Sequence, residues 1–207
     1  MKVLLVNGSP RPNGCTFTAL SEVATSLEKN DISTEIFQIG RDPVSGCLAC
    51  HGCRQTKRCV IDSDCANALA EKMIQADGIV VGSPVYYAGP NGALCALLDR
   101  AFFSTDKEQY ANKVASAVVS CRRSGGSASL DRLMKYFTIA NMLVVGSSYW
   151  NIVHGNTPEE VKQDFEGMQV MRRLGENMAF LIKSMDLAKD TIEKNQPEKS
   201  VSTNFIR

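Results

Sequence analysis

Two short stretches constrain this fold more than any others. Segments 3–6 and 78–81 are nearly unbroken apolar runs, each soon stopped by Gly and Pro and then followed by helical spacing. Runs of this kind read as strands buried on both faces, the habit of parallel sheets covered by helices. Segments 32–39, 113–121 and 142–146 supply three further strands, of which 32–39 is more polar and so lies nearer an edge. Between the strands, Phe17, Leu20, Val23, Ala24 and Leu27 set a helix over 16–29, and similar stripes predict helices over 64–75, around 94–102 and over 128–139. Thr157, Pro158 and Glu160 carry the signature of a last helix start, with its end near Lys183 or Met185. The alternation predicts an α/β, doubly wound, five-stranded parallel sheet.

The first strand-to-helix loop carries chemistry. Backbone N–H groups of such a loop and of the following helical turn attract anions, while Ser9, Asn13 and Thr16 add neutral donors and Arg11 a charged fork. No Lys-Ser or Lys-Thr pair follows Gly14, which argues against a triphosphate loop. Gly8 and Gly14 lack the dinucleotide spacing. A monophosphate ester fits better; the plainer alternative is an ordinary connection whose Gly and Pro only make turns.

Composition narrows the remaining classes. A chain of 207 residues, 44% hydrophobic, suits one compact domain. Its formal charge of +1, without long basic blocks, argues against a nucleic-acid partner. No apolar run approaches the roughly 18 residues of a membrane span, and no secretory leader pattern is visible, so a soluble, cytoplasmic protein is expected. Of eight cysteines, Cys47, Cys50, Cys53 and Cys59 fall together in the aperiodic segment 40–64, while Cys15, Cys65, Cys95 and Cys121 lie apart. Clustering of this kind points to metal or redox work. Four soft thiolates at this spacing suit a [4Fe-4S] cluster. Tetrahedral zinc, with or without His51, and free or disulfide-linked thiols are the alternatives. Lys57 and Arg58 suit either a neutralising role or a solvated turn.

Ligands of open α/β sheets bind outside the carboxyl ends of the strands. There the chain offers the first loop, the turn-rich segment 85–91 with Tyr86 and Tyr87, the 122–127 loop with Arg122, Arg123, Gly125 and Gly126, and Tyr149 and Trp150 following the fifth strand. A phosphate seat and an aromatic-flanked space for a flat ring together fit flavin mononucleotide, FMN. The aromatics suit an oligomer interface equally well. Cys15 and Cys121 read as core residues beside that rim, and His154 as a group able to approach the ring across a dimer interface.

The sequence resembles the flavodoxin-like family of NAD(P)H-dependent FMN reductases, in its iron-sulfur flavoprotein branch. The resemblance rests on Asn7 to Thr16, on Cys47, Cys50, Cys53 and Cys59, on Gly82 to Tyr87, and on Tyr149 to Asn151, and it covers most of residues 1–180. It implies the strand order 2-1-3-4-5 and a flavodoxin-like FMN-binding domain over 1–185, with a cysteine-rich loop at 46–62 and a tail or oligomer-contacting arm over 186–207. It also implies that Ser9, Arg11, Asn13 and Thr16 hold the FMN phosphate, with Gly14 and the backbone amide of Cys15 in the same cofactor-binding loop. Pro84, Val85, Tyr86, Tyr87, Ala88 and Gly89 would pass beside the ring and ribityl chain. Read from the residues themselves, Arg122 and Arg123 suit a nicotinamide-nucleotide phosphate or a flavin oxygen, with Gly125 and Gly126 allowing close approach, or else an exposed flexible loop, and Tyr149 joins the cofactor-binding set. Cys15 departs from the Asn that is common in the family's Gly-Asn-Thr run, which removes a side-chain hydrogen bond. Implied partners are NAD(P)H as transient co-substrate, a small electron acceptor or ferredoxin-type carrier, and a second copy in a homodimer or homotetramer. The expected function is an FMN-dependent oxidoreductase taking hydride from NAD(P)H, with no protein nucleophile or base. The other readings are a non-enzymatic flavodoxin-type carrier and an FMN-binding regulatory protein.

Overall fold

The computed structural model describes residues 1–192, 198, 201–203 and 205. Along the chain run β1 (Lys2–Asn7), α1 (Cys15–Glu28), β2 (Ser33–Gln38), α2 (Cys53–Thr56), α3 (Ala66–Gln75), β3 (Gly78–Tyr86) and β4 (Gly89–Pro90). There follow α4 (Gly92–Ser104), β5 (Val114–Cys121), α5 (Gly126–Ile139), β6 (Leu143–Val144), β7 (Ile152–His154), α6 (Pro158–Gln163) and α7 (Phe165–Ala188). The sheet path is β2-β1-β3-β5-β6, with β7 also on β5. All pairs along this path are parallel. With β6 and β7 as halves of one strand, this is the expected order 2-1-3-4-5.

Alternate residues of β1 divide the core, as a pleat with period two requires. Val3 and Leu5 join Val80, Val114 and Val118 beneath α1 and α7. Leu4 and Val6 join Ile79, Val81, Ala115, Ala117 and Val119 beneath α3, α4 and α5. Both faces are therefore covered, which is why the central strands read as continuous apolar runs.

Two elements depart from expectation. The fifth strand, expected over 142–146, is split: between Ala115 and Val119 the neighbouring strand advances four positions while the edge advances eight, from Val144 to Ile152. Asn151 holds the re-entry point, donating through Nδ2 to Ser116 Oγ at 3.0 Å and to the Ala117 carbonyl at 3.1 Å, while its own carbonyl accepts from Val119 N. Tyr149 and Trp150 thus emerge from the middle of the edge strand, not beyond its carboxyl end. The last helix is also broken. Thr157 caps α6, accepting from Glu160 N, but Asp164 starts α7 afresh by accepting from Gly167 N through one oxygen and from His154 N through the other. A side chain that caps one helix and anchors a strand end disfavours continuous helix through its own backbone. Pro197 and Ile206, part of the expected tail, lie outside the described residues.

Candidate functional site

Three loops at the carboxyl ends of β1, β3 and β5 are tied to one another. Gly8 N donates to the Gly82 carbonyl at 2.8 Å, and Asn91 Nδ2 donates to the Gly8 carbonyl at 2.7 Å. A Cβ on Gly8 would stand 2.6 Å from that Gly82 carbonyl, so the close approach of β1 and β3 requires glycine. Gly125, at φ +86°, lies against the second loop: a Cβ there would be 2.6 Å from Ala88 Cα and 3.0 Å from Val85 Cγ1. Asn91 ends the turn-rich segment 85–91, and as an Asn just before a helix it carries a cap signal beyond its turn role; its carboxamide oxygen accepts from Ala93 N.

Within the first loop, Ser9 is buried and its Oγ accepts from Arg11 N at 3.1 Å, which folds the loop back over itself. Asn7 Oδ1 accepts from Ser9 N, and Gln38 Nε2 donates to the Ser9 carbonyl at 2.6 Å. Asn13 and Arg11 are exposed at the loop's outer face. Gly14 is the N-cap of α1, and no side chain fills that cap. The first-turn N–H groups of Cys15, Thr16 and Phe17 are therefore available to an anion, with the helix dipole behind them. Thr16 does not face the loop's mouth: its hydroxyl is buried and 2.8 Å from Ser120 Oγ at the end of β5. Cys15 Sγ turns toward the Gly155 carbonyl at 3.9 Å, and burial pushes its thiol pKa up. The open N-terminus and neutral donors fit a phosphate monoester.

The second loop is a two-residue hairpin. Val85 pairs with Pro90 and Tyr86 with Gly89, leaving Tyr87 and Ala88 at the tip with φ of 50° and 58°. Left-handed backbone at both positions marks the turn favoured in right-twisted hairpins, here without glycine. Tyr87 is fully exposed and Tyr86 half-exposed. Arg122 and Arg123 leave the end of β5 exposed, beside the turn at Gly125. Cys121 is buried behind them with Sγ 3.5 Å from His154 Nδ1, and burial raises its pKa. Tyr149 and Trp150 lie with ring centroids 4.9 Å apart, tilted by 55° to each other, and stay exposed on the open edge, apart from these loops in the strand register.

The cysteine loop forms a second centre. Cys47, Cys50, Cys53 and Cys59 line one cavity of about 20 Å³ with Leu48, His51, Val60, Ile61, Arg100 and Phe103. All four are free thiols. Left-handed backbone at Ala49, His51 and Lys57 wraps the loop around that cavity. Among the described residues, no three Cys, His, Asp or Glu side chains gather as a single metal ion requires. An iron-sulfur cluster takes its thiolates one per iron and so spreads them on a wider frame. The donor set fits that group. Lys57 pairs with Asp106, and Arg58 with Asp62 and Glu71, so both serve the loop's outer surface.

Sequence reasoning missed the two residues that hold this loop from inside. Buried Asn67 accepts from Cys59 N at 2.9 Å and donates to the Cys59 carbonyl at 3.0 Å. Arg100, whose side chain is 0% exposed, pairs with Asp64 and donates from Nε to Cys59 Sγ at 3.2 Å. Against burial, which alone would raise it, the Arg100 hydrogen bond holds the Asp64 carboxyl below the usual carboxylate range. The one available signal was a cation in the largely apolar helix α4, whose neighbouring Asp99 is taken up by Arg132 and Tyr136.

The model of the NADPH-dependent FMN reductase family matches residues 1–157. The chain belongs to that family. Membership brings with it a general FMN-binding oxidoreductase function on a flavodoxin-like fold. An iron-sulfur flavoprotein of Methanocaldococcus jannaschii is 33% identical over 190 residues, 88% of this chain and 98% of the relative. Another, of Methanosarcina thermophila, is 29% identical over 194 residues, covering 92% of this chain and all of the relative. In fold, the chain is similar to RosB, with a TM-score of 0.69 at 17% identity over 100% of this chain and 94% of RosB. It is also similar to a flavodoxin from the domain Archaea, with a TM-score of 0.58 at 16% identity over 88% of this chain and 99% of that one. No described helix is long and apolar enough to cross a membrane.

Proposed function

We propose that this FMN reductase family member oxidises NAD(P)H and passes the electrons to a small acceptor or, by way of a [4Fe-4S] group that the four thiolates would hold, to a one-electron carrier of ferredoxin type. The observation that carries this reading is the cavity lined by Cys47, Cys50, Cys53 and Cys59 on the same chain as an open phosphate loop. When bound, FMN supplies two-electron and one-electron redox chemistry, and a [4Fe-4S] group supplies one-electron transfer. The protein's share is placement. First-turn N–H groups of α1, with Ser9, Arg11, Asn13 and Gly14, would hold the phosphate. The hairpin from Pro84 to Gly89 would set the ring's orientation and exclude water from one edge, with Tyr86 and Tyr87 as its aromatic side. Thr16 and Cys15 act behind the loop: Thr16 joins α1 to β5 through Ser120, and Cys15 fills the space beside Gly155. Arg122 offers a charged fork to a nucleotide phosphate, and Gly125 permits the close approach. The exposed Tyr149 and Trp150 suit contact with a second copy, as the implied homodimer or homotetramer needs.

Anaerobic purification followed by iron, labile-sulfide and flavin determination tests the cofactors. We expect one FMN per chain and iron matched by sulfide. Four reactive thiols without metal would reject the cluster. Mixing with NADH or NADPH should bleach the flavin absorbance within seconds. Reduction by a reduced ferredoxin but by neither nucleotide would reject the nicotinamide half.

A further inference from the structure

Arg100 is among the largest fully buried side chains of the molecule. Burying a guanidinium is costly even when it is paired, because its hydration is lost. Here every nitrogen of the group is used. Nε donates to Cys59 Sγ at 3.2 Å, Nη1 to the Ser45 carbonyl at 3.2 Å and to the Asp64 carboxylate, and Nη2 to the Ile61 carbonyl at 2.7 Å. Three of these partners bracket the cysteine loop, from Ser45 before Cys47 to Ile61 after Cys59. Asp64 offsets the charge at the loop's exit. Lys57 and Arg58 are engaged with Asp106, Asp62 and Glu71 on the surface, whereas Arg100 alone of the three reaches a sulfur.

A donor aimed at sulfur distinguishes this arrangement from a staple made only of carbonyl contacts. Hydrogen bonds to ligating sulfurs, and the net charge around them, set the reduction potential of an iron-sulfur centre. An N–H held on Cys59 Sγ strengthens as negative charge on the sulfur grows, so it favours the reduced form. We propose that Arg100 is the positioning residue of the four-cysteine centre: it fixes Cys59 as the last ligand and raises the centre's reduction potential, with Asp64 as the opposing charge. This assignment rests on the [4Fe-4S] reading of the loop.

The test is a dithionite titration of the anaerobically purified holoprotein, followed by the cluster's EPR signal, with iron, sulfide and FMN content measured on the same samples. Arg100→Lys keeps the charge but loses the fixed Nε donor. It should retain FMN, and the ratio of reduced to oxidised cluster at a given potential should fall about tenfold, which is about 59 mV for one electron. Asp64→Asn leaves the donor in place and removes its counter-charge, so its midpoint should move the opposite way. If Arg100→Lys fails to assemble, Asp64→Asn decides alone: an upward shift supports the assignment and an unmoved midpoint overturns it. A loaded Arg100→Lys protein with the wild-type midpoint also overturns it, while the cluster reading stands. Wild-type protein with FMN but no iron or sulfide overturns both.

Discussion

Ala88 stands at φ 58° and its neighbour Tyr87 at φ 50°, at the tip of the hairpin between β3 and β4. Left-handed backbone costs an L-residue about 1–2 kcal/mol, and glycine largely escapes that cost. Ala88→Gly should therefore stabilise the protein by about 1 kcal/mol, measured as a higher urea midpoint at unchanged slope. A destabilised variant would mean that the Ala88 methyl, packed toward Gly125, contributes more than the strain it bears. The tyrosines were legible in the sequence as residues of a turn-rich loop. Their left-handed tip was not, because the usual Asn-Gly or Asp-Gly signal is missing. Arg100 and Asn67 illustrate the opposite difficulty. Each is an ordinary polar residue in a helical stretch until the fold brings Cys59 against it, 41 positions away from Arg100 and eight from Asn67.

At the scale of the element, β2 is the edge strand on the side away from β6 and β7, and its attachment is partly electrostatic. Glu35 bridges Lys2 of β1 at 2.5 Å and Lys72 of α3 at 2.5 Å. The hydrogen bond from Lys2, and then that from Lys72, lower its pKa. A carboxyl whose folded pKa is depressed adds stability above its unfolded value, about 4.3, and loses that contribution as pH falls through the folded value. Glu35→Gln should thus be less stable than wild type at pH 7, by about 1 kcal/mol or less at this half-exposed position. The gap should close as the pH drops below about 4. Urea unfolding of both proteins from pH 7 to pH 3 measures it, and a gap that stays constant would show that the two lysines do not act through charge. The split fifth strand belongs to this scale as well. The segment 142–146 has a strand's composition, but the second half of the strand is 152–154, held in place by Asn151 reaching Ser116 and the Ala117 carbonyl, a long-range contact that no local pattern announces.

For the molecule as a whole, the rim formed by three loops predicts linkage between cofactor and fold. FMN at a hundredfold excess over its Kd should stabilise the deflavinated protein by about 2.7 kcal/mol. For a chain of this length that is a rise in Tm of roughly 5–10 °C. Riboflavin, which lacks the phosphate, should raise it much less, and equal shifts from the two would remove the first loop from the phosphate site. The order of residues alone specifies the layered parallel sheet, because strands buried on both faces must be apolar throughout while their covering helices show one apolar stripe. It also specifies the loop that offers N–H groups at the start of α1 and the grouping of four thiols, since both are local in the chain. What surrounds those thiols, and where the later aromatics stand, follows from how distant segments pack. Arg100 reaches Cys59 from another helix, and Tyr149 and Trp150 leave the middle of an edge strand, so each position is set by packing between segments far apart in sequence.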